Sequence, residues 1–320
     1  MGPYAVRRLA EAVPLLLGVI VLTFALTRLA PGDPVYALAG ESGDAAYYAE
    51  MRARFGLDRP LPEQLAVYLA NVTRGDLGHS YVQKQPVLAL ILARVPASAL
   101  LVVVALLLAT TLGIVLGAEA ARRAGSATDA AVRSWTVFGS CAPAFWLGQI
   151  LLVVFAAGLG WFPTQGMTSA RAGYQGLAYA ADVAHHLVLP AATLGLLQLA
   201  LVTRLTRAGV REALADDYVR TARGKGLPAR TVLYRHALPN ALLPVVTVVG
   251  GHAATLMTGA VLTEIVFAWP GLGRLLYDAV LTRDYPLVMA MFELAAITVV
   301  LANLLTDLAY ATLDPRIRYR

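Results

Sequence analysis

Long uncharged stretches alternate with short polar segments along the whole chain. Four of them run for at least 21 residues without a charged side chain, and two weaker ones complete the series. A helix needs about 20 predominantly apolar residues to cross a bilayer, so each stretch is a candidate span. In chain order they are Ala12–Thr27, Val95–Ala118, Ser134–Ala170, Val183–Thr203, His236–Thr263 and Tyr285–Thr306, the last interrupted only by Glu293. The pattern predicts six transmembrane helices.

The overall composition is that of a membrane protein. Of 320 residues, 58 % are hydrophobic and 14 % are charged, with a mean hydropathy of +0.64. These values exclude a disordered chain and argue against a soluble globule. The first stretch is read as a retained anchor, since Thr27-Arg28-Leu29-Ala30 replaces the small residues of a signal-peptide cleavage site. A single cysteine, Cys141, allows no intramolecular disulfide and no cysteine-ligated zinc site, and it is predicted to be a small buried residue.

The distribution of charge predicts the orientation. With six spans both termini lie on one side, and 16 of the 26 basic residues but only seven of the 20 acids fall in segments on that side. Cytoplasmic segments of membrane proteins carry an excess of Lys and Arg. Both termini are therefore expected in the cytoplasm.

The predicted spans divide the chain into five segments. Residues 1–30 hold the N-terminus and the first span, and residues 31–94 form an external cap segment whose Pro- and Gly-rich turns separate short interfacial helices. Residues 95–206 contain spans two to four, residues 207–238 form a cytoplasmic coupling loop, and residues 239–320 hold spans five and six with a short cytoplasmic tail.

The coupling loop is the most highly charged part of the chain. Asp217 is a good N-cap, and the residues after it allow about two helical turns before a glycine stop at Gly226. Tyr218, Ala222 and Gly226 then share one helix face. Small residues permit close backbone approach, so this face is predicted to dock on a partner protein; the alternative is a basic connector lying on lipid headgroups. The segment lacks the upstream glycine and the following Ser or Thr of a phosphate-binding loop, so energy must come from elsewhere.

The spacing between Gly226 and Leu238-Pro239 resembles the signature of one transporter family. Permease subunits of binding-protein-dependent ATP-binding-cassette importers carry Glu-Ala-Ala, three residues, Gly, and a Leu-Pro ending thirteen residues later. Here Arg220-Thr221-Ala222 replaces the first triplet, as in the dipeptide, oligopeptide and nickel branch. The resemblance assigns contacts with ATPase subunits to Asp217, Tyr218, Arg220, Thr221, Ala222, Arg223, Gly224, Lys225, Gly226, His236, Pro239 and Asn240.

Further motifs in the order typical of that branch cover nearly the whole chain. They are Leu29-Ala30-Pro31-Gly32-Asp33-Pro34, Phe55–Pro62, Gly75–Tyr81, Phe145–Gly148, Val266–Gly273 and Leu313–Arg316. The resemblance implies an all-α integral membrane protein with six transmembrane helices in the type I ABC importer permease fold, with both termini inside, in a bacterial or archaeal cytoplasmic membrane.

The resemblance also implies an obligate complex. Its other members would be a second homologous permease, two ATP-binding subunits and an extracytoplasmic solute-binding protein. No cofactor is expected in this chain, because ATP and Mg²⁺ would bind to the ATPase partners. The chain itself is expected to be a transport subunit and not an enzyme, and neither its charge pattern nor its aromatic content suggests a nucleic-acid partner.

Three embedded acids are candidates for function, since carboxylates within a membrane are costly. Glu264 has two alternatives: a helix-end or inter-subunit hydrogen-bonding role, or a role in lining the path for a substrate amine. For Glu293 and Asp307 the alternatives are pairing with a neighbouring span, which is favoured, or lining the path. His185 and His186 diverge by about 100° on a helix, so together with Asp182 they make an improbable metal site, and interfacial hydrogen bonds are expected instead.

Other functions remain open at this stage. A short-peptide substrate is favoured over nickel or another small solute, because embedded carboxylates are few and no His/Cys cluster is present. A proton-coupled secondary transporter would normally show internal repeats, which the sequence lacks. An intramembrane hydrolase would need a nucleophile in a Gly-x-Ser-x-Gly setting, and Ser140 has none.

Overall fold

The computed structural model describes residues 2–29, 35–36, 43–54, 56–169 and 172–313. The described chain divides into two compact units: the residues up to Ser98 together with Pro270–Leu304 form the first, and Ala99–Trp269 forms the core of the second. The motif residues 30–34, Phe55 and residues 314–316 lie outside the described part of the chain.

The described residues are mostly helical. The α-helices are α1 Gly2–Leu29, α2 Ala45–Arg54, α3 Leu61–Val72, α4 Val87–Arg122, α5 Ala127–Cys141, α6 Ala144–Leu151, α7 Gly176–Ala213, α8 Asp217–Gly224, α9 Ala229–Thr231, α10 Leu238–Ala241, α11 Leu243–Gly259, α12 Val261–Val266, α13 Leu272–Leu281 and α14 Tyr285–Leu313. Two π-helical segments, Leu152–Gly158 and Val232–Ala237, continue α6 and α9.

Four helices within the described residues are long and apolar enough to cross a membrane: α1, α4, α7 and α14. Two further pairs meet the same criterion only jointly, and both are bent: Ala127–Cys141 with Ala144–Gly158 by 108°, and Ala229–Ala241 with Leu243–Gly251 by 47°. The described chain therefore holds four candidate spans, or six if each bent pair crosses once. The helical membrane class is confirmed, whereas the count of six and the inward termini stay predictions.

The uncharged run Ser134–Ala170 does not form one helix, contrary to the prediction of a single continuous span. Ala142 is extended, with φ −71° and ψ 129°, because the ring of a following proline disfavours the helical region. Pro143 then begins the next helix as its N-cap. Cys141 is exposed, so its predicted burial is wrong: Gly139 lies on the buried face of α5, and two residues turn a helix by about 200°.

The four long helices α1, α4, α7 and α14 extend beyond the apolar stretches that predict them, and α4 and α7 show this at the cap segment and the coupling loop. Helix α4 begins at Val87, so the predicted cap segment, ending at residue 94, includes about two of its turns. Helix α7 continues to Ala213, ten residues beyond Thr203, and carries the first basic residues of the coupling loop. The apolar pattern locates the membrane-compatible part of each helix but does not define its ends.

Small residues allow α4 and α7 to cross closely in the second unit. A Cβ atom added at Gly117 would lie 2.6 Å from the Thr203 carbonyl oxygen, and one at Gly195 would lie 3.2 Å from the Ala105 carbonyl oxygen. Packing through small residues is the usual way for membrane helices to approach one another. Helix α7 also packs against α5, α6 and α10, so it is the central helix of this unit.

Hydrogen bonds fasten the loops of the first unit to its helix ends. Ser80 donates its hydroxyl hydrogen bond to Asp284, and the backbone N–H of Tyr81 donates to Asp284 Oδ1 over 2.9 Å. The backbone N–H of Leu272 donates to Ser98 Oγ over 2.7 Å. Ser80, Ser98 and Asp284 are each buried, so these bonds are shielded from water.

Candidate functional site

The coupling loop has its own small apolar core. Val219 and Ala222 of α8 pack against Ala213 at the end of α7 and against Val232 and Ala237 of the following π segment. All five side chains are buried. Helix α8 is therefore fixed to the end of the long helix α7 through side-chain packing.

The docking face predicted from sequence is partly wrong. Ala222 is only 5 % exposed, whereas Tyr218 is 39 % exposed and Gly226 is also exposed. Val219 and Ala222 are three residues apart and form the apolar stripe of α8, which the second half of the loop covers. Ala222 is thus a packing residue, and only Tyr218 and Gly226 of the predicted stripe reach the surface.

The ends of α8 agree with the predicted helix except at its first residue. Asp216, not Asp217, is the N-cap, and its side chain makes no capping hydrogen bond; Asp217 is the first helical residue. Gly226 has φ +74°, a backbone conformation that suits glycine, so the predicted glycine stop is confirmed. Asp217 forms an exposed ion pair with Arg220 over 3.3 Å, which contributes little to stability.

The exposed surface of the loop is predominantly basic. Its exposed side chains include Tyr218, Arg220, Thr221, Arg223, Lys225, Arg230, Arg235, Pro239 and Asn240, while His236 is half-buried. Gly224 is exposed as well, and a Cβ added there would meet open space. A surface of this charge suits a partner that presents acidic side chains.

A π-helical segment precedes the proline of the predicted signature. Pro239 has no N–H to donate to the carbonyl of Arg235, four residues earlier, and its ring crowds that carbonyl. The backbone hydrogen bonds change to the i→i+5 pattern over Val232–Ala237. Such π-helical turns occur frequently at functional sites. Sequence analysis predicted an ordinary helix here.

A second apolar cluster joins the loop to the membrane helices of its unit. Leu233 and Ala241 pack with Val210 of α7 and Ala121 of α4. A Cβ atom added at Gly209 would lie 3.0 Å from the Ala241 carbonyl oxygen, so the backbones of α7 and α10 are close. Leu233 and Ala241 therefore tie the second half of the loop to the C-terminal part of α7.

An ion pair that sequence analysis missed lies at the same end of α7. Arg207 binds both carboxylate oxygens of Asp129, with Nε–Oδ1 2.5 Å and Nη2–Oδ2 2.9 Å. Asp129 also accepts the backbone N–H of Gly125 over 3.0 Å, and Ser126 caps α5 by accepting the N–H of Asp129. The spacing Ser126-x-x-Asp129 is that of a capping box, a signal that could have identified the start of α5.

The three embedded acids have different surroundings. Glu264 is fully buried in the second unit, which favours the structural alternative over path lining. Glu293 accepts a 2.5 Å hydrogen bond from the hydroxyl of Tyr68. Because Tyr68 belongs to α3 in the cap segment, the prediction that Glu293 pairs with a neighbouring span is wrong. The side chain of Asp307 lies outside the described residues.

The adjacent histidines bind separate hydrogen-bond partners. His185 Nε2 lies 2.8 Å from the Trp161 carbonyl oxygen, while His186 Nδ1 lies 2.8 Å from the backbone carbonyl of Asp182. The carboxylate of Asp182 accepts hydrogen bonds from the N–H and hydroxyl of Ser169. These contacts tie the loop after α6 to the first turns of α7.

Comparison with known proteins gives one consistent result over the full length. Residues 109–319 match the family described as binding-protein-dependent transport system inner membrane component, and residues 1–102 match its N-terminal counterpart. The oligopeptide transport system permease protein AppB of Bacillus subtilis (strain 168) is 39 % identical over 320 residues, covering 100 % of both chains. The di/tripeptide transport system permease protein DppB of Pseudomonas aeruginosa (strain UCBPP-PA14) is 41 % identical over 337 residues, again covering 100 % of both.

A solved structure shows the same fold. An amino acid ABC transporter crystallised with histidines superposes with a TM-score of 0.54, covering 70 % of this chain and 94 % of that chain, at 13 % sequence identity. At this identity the likeness concerns the fold alone.

Proposed function

Because the chain belongs to the family of inner membrane components of binding-protein-dependent transport systems, we propose that it is the permease subunit of an ATP-driven importer of short peptides. Membership of this family makes the chain a multi-pass transport protein of the cytoplasmic membrane. The peptide substrate is supported by relatives named as oligopeptide and di/tripeptide permeases at 39 % and 41 % identity over their whole length. Nickel or another small solute is the alternative substrate.

The observation that carries the mechanism is the fixed attachment of α8 to α7. Closure of a pair of ATP-binding subunits would press on the exposed basic face of α8, and Val219 and Ala222 would transmit the force to Ala213 at the end of α7. Since α7 is one unbroken helix from Gly176 to Ala213, it would move as a rigid body and change which side of the membrane the path faces.

The proposal includes a defined set of partners. A second homologous permease would complete the path, two ATP-binding subunits would hold ATP and Mg²⁺ and hydrolyse the nucleotide, and an extracytoplasmic binding protein would deliver the peptide. In this arrangement the chain contributes the path and the coupling loop, and it carries out no hydrolysis itself.

Reconstitution tests the substrate and the energy source together. The complete complex in proteoliposomes should take up labelled di- and oligopeptides only when both ATP and the binding protein are present. Uptake of a nickel chelate without peptide uptake would overturn the peptide assignment and retain the importer. Peptide uptake driven by a proton gradient without ATP would overturn the importer itself.

Charge reversal on the exposed face tests the coupling loop. Arg223→Glu should reduce ATP-driven uptake roughly tenfold, because it places a carboxylate where an acidic partner surface is expected. Arg74→Glu is the matched control, since Arg74 is an exposed arginine that follows α3 in the cap segment. Wild-type uptake and ATP turnover in the Arg223→Glu complex would show that this face does not dock.

A further inference from the structure

A cavity of about 450 Å³ lies within the first unit, bounded by α3, the loop at residues 76–81, the C-terminal end of α1 and the first turn of α14. This volume falls in the range of small-molecule sites. A space of this size is on the order of 8 Å across, which is the length of about two extended residues. Its wall includes Phe24 and Met289 beside several polar side chains.

The cavity wall carries a cation, Arg28, that pairs with no carboxylate among the described residues. Arg28 lines it, is half-buried, and stacks with its guanidinium carbon 5.3 Å from the ring centre of Phe24. Among the described residues no carboxylate lies within ion-pair distance of Arg28. The other cavity guanidinium, on Arg59, is already bound to Glu63 over 3.2 Å. A half-buried guanidinium that pairs with no carboxylate in the described part of the chain is suited to bind a carboxylate on a ligand.

The same cavity wall holds a buried acceptor that lacks a donor. Gln64 Nε2 donates to the backbone carbonyls of Leu57 and Arg59 over 3.3 Å and 2.8 Å. These bonds fix the amide, and its Oε1 atom is buried without a hydrogen-bond partner in the described part of the chain. Buried polar atoms are nearly always paired, so this acceptor in the cavity wall suits a donor on a bound ligand.

We propose that this cavity is a reception site for a short peptide, which binds with its C-terminal carboxylate on Arg28 and an N–H group on Gln64 Oε1. The ligand needs both an anionic group and a donor, and the cavity admits about two residues. The choice of a peptide rests on the proposed function. A phospholipid headgroup offers a phosphate and an ammonium group, so the test must separate these two sources.

Binding to the complex without its binding protein tests the site directly. Isothermal titration of the purified complex in nanodiscs should show saturable binding of the dipeptide Ala-Phe and at least tenfold weaker binding of its C-terminal amide. This comparison uses wild-type protein, so it does not depend on how a variant folds. Equal affinity for acid and amide, or no binding of either, would overturn the proposal.

Variants identify the residues. Arg28→Gln should weaken binding of the acid at least tenfold and leave binding of the amide unchanged, and Gln64→Leu should weaken both. Arg74→Gln is the control, because Arg74 is exposed and does not line the cavity. If Arg28→Gln lowers the melting temperature of the complex, Arg28→Lys, which keeps the charge, must restore acid binding in part; failure to do so would contradict the assignment.

Two parallel measurements separate the remaining outcomes. The first is native mass spectrometry of the same complexes. If the site binds lipid, the wild-type complex should retain a phospholipid that Arg28→Gln releases and that Ala-Phe does not displace. This result would overturn the peptide site. ATP-driven uptake with the binding protein is measured alongside. Uptake without Arg28-dependent binding would overturn the site and leave the proposed function intact, whereas absent peptide uptake would overturn the function.

Discussion

Arg207 on α7 and Asp129 on α5 form a two-point ion pair, with Nε–Oδ1 2.5 Å and Nη2–Oδ2 2.9 Å. The Asp129 side chain is 2 % exposed and that of Arg207 is 17 % exposed, so the pair is largely shielded from solvent. It holds the first turn of α5 against the part of α7 at which the coupling loop begins. The ion pair thus joins α5 to the helix that the proposed mechanism would move.

Removing one member of this pair should destabilise the second unit. Asp129→Ala leaves the Arg207 guanidinium without its acceptor and should cost roughly 2 kcal/mol, the scale of a hydrogen bond to a charged group. The measurement is the melting temperature of the purified complex. Glu119→Ala is the control, because Glu119 pairs with Arg122 and Arg123 in more exposed positions. A melting temperature unchanged in Asp129→Ala would show that the pair contributes nothing.

The hydrogen bond from Tyr68 to Glu293 should also be measurable as a coupling energy. Tyr68→Phe deletes the hydroxyl that lies 2.5 Å from the Glu293 carboxyl, whose residue is 5 % exposed. The loss should be about 1–3 kcal/mol, and Tyr68→Phe in a Glu293→Leu background should cost much less. A double-mutant cycle on thermal stability gives the interaction. Additive effects would mean that the two side chains act independently.

The ionisation of Tyr68 gives a prediction about alkaline pH. Burial, and then the hydrogen bond to Glu293, raise the pKa of Tyr68 well above the ordinary value of about 10. The unfolded chain then ionises first, so the stabilisation is complete below about pH 10 and is lost as the pH rises further. Stability of wild type should fall more steeply than that of Tyr68→Phe between about pH 10 and 11. Parallel profiles would contradict the raised pKa.

The sequence predicts those features that depend on local pattern. The helical class, four of the six apolar stretches and the glycine stop at Gly226 follow from composition, hydropathy and backbone preference, and the structure agrees with each. Helix ends are predicted less well. Helix α7 continues past Thr203 because the arginines that follow are good helix formers. A hydropathy window nevertheless ends the predicted span at these charged residues.

Features that depend on tertiary partners could not be predicted from one sequence. Ala222 is small, and small residues suit both a docking face and a buried contact; only the packing of Val219 and Val232 decides between them. Glu293 meets a donor 225 residues away in the chain, and Arg207 meets an acceptor 78 residues away. No periodicity in the sequence identifies such pairs, because the burial that makes a partner necessary is itself a property of the folded chain.

The buried position of Ala222 changes what its substitution tests. Ala222→Glu should loosen the loop, because it forces a carboxylate into the cluster that also holds Val219 and Val232. Hydrogen exchange of Asp217–Gly224 should rise strongly, and uptake should be lost as a consequence. Thr221→Glu is the matched control for exchange, since Thr221 is the adjacent exposed residue on α8. Equal hydrogen exchange in both variants would show that Ala222 does not belong to the packed core of the loop.

The crossing of α4 provides the clearest test of the predicted topology. The helix runs from Val87 to Arg122, and its 36 residues span about 54 Å, more than the roughly 30 Å of a hydrocarbon core. Gln83 and Ala124 are exposed positions beyond its two ends. In a Cys141→Ala background, Gln83→Cys should react with an impermeant thiol reagent added outside intact cells, and Ala124→Cys only after the membrane is opened.

Ser80, although nearby, is buried and would give no labelling on either side. Labelling of both cysteines in intact cells would mean that α4 does not cross, and reversed labelling would place the coupling loop outside, where no ATP-driven subunit could reach it.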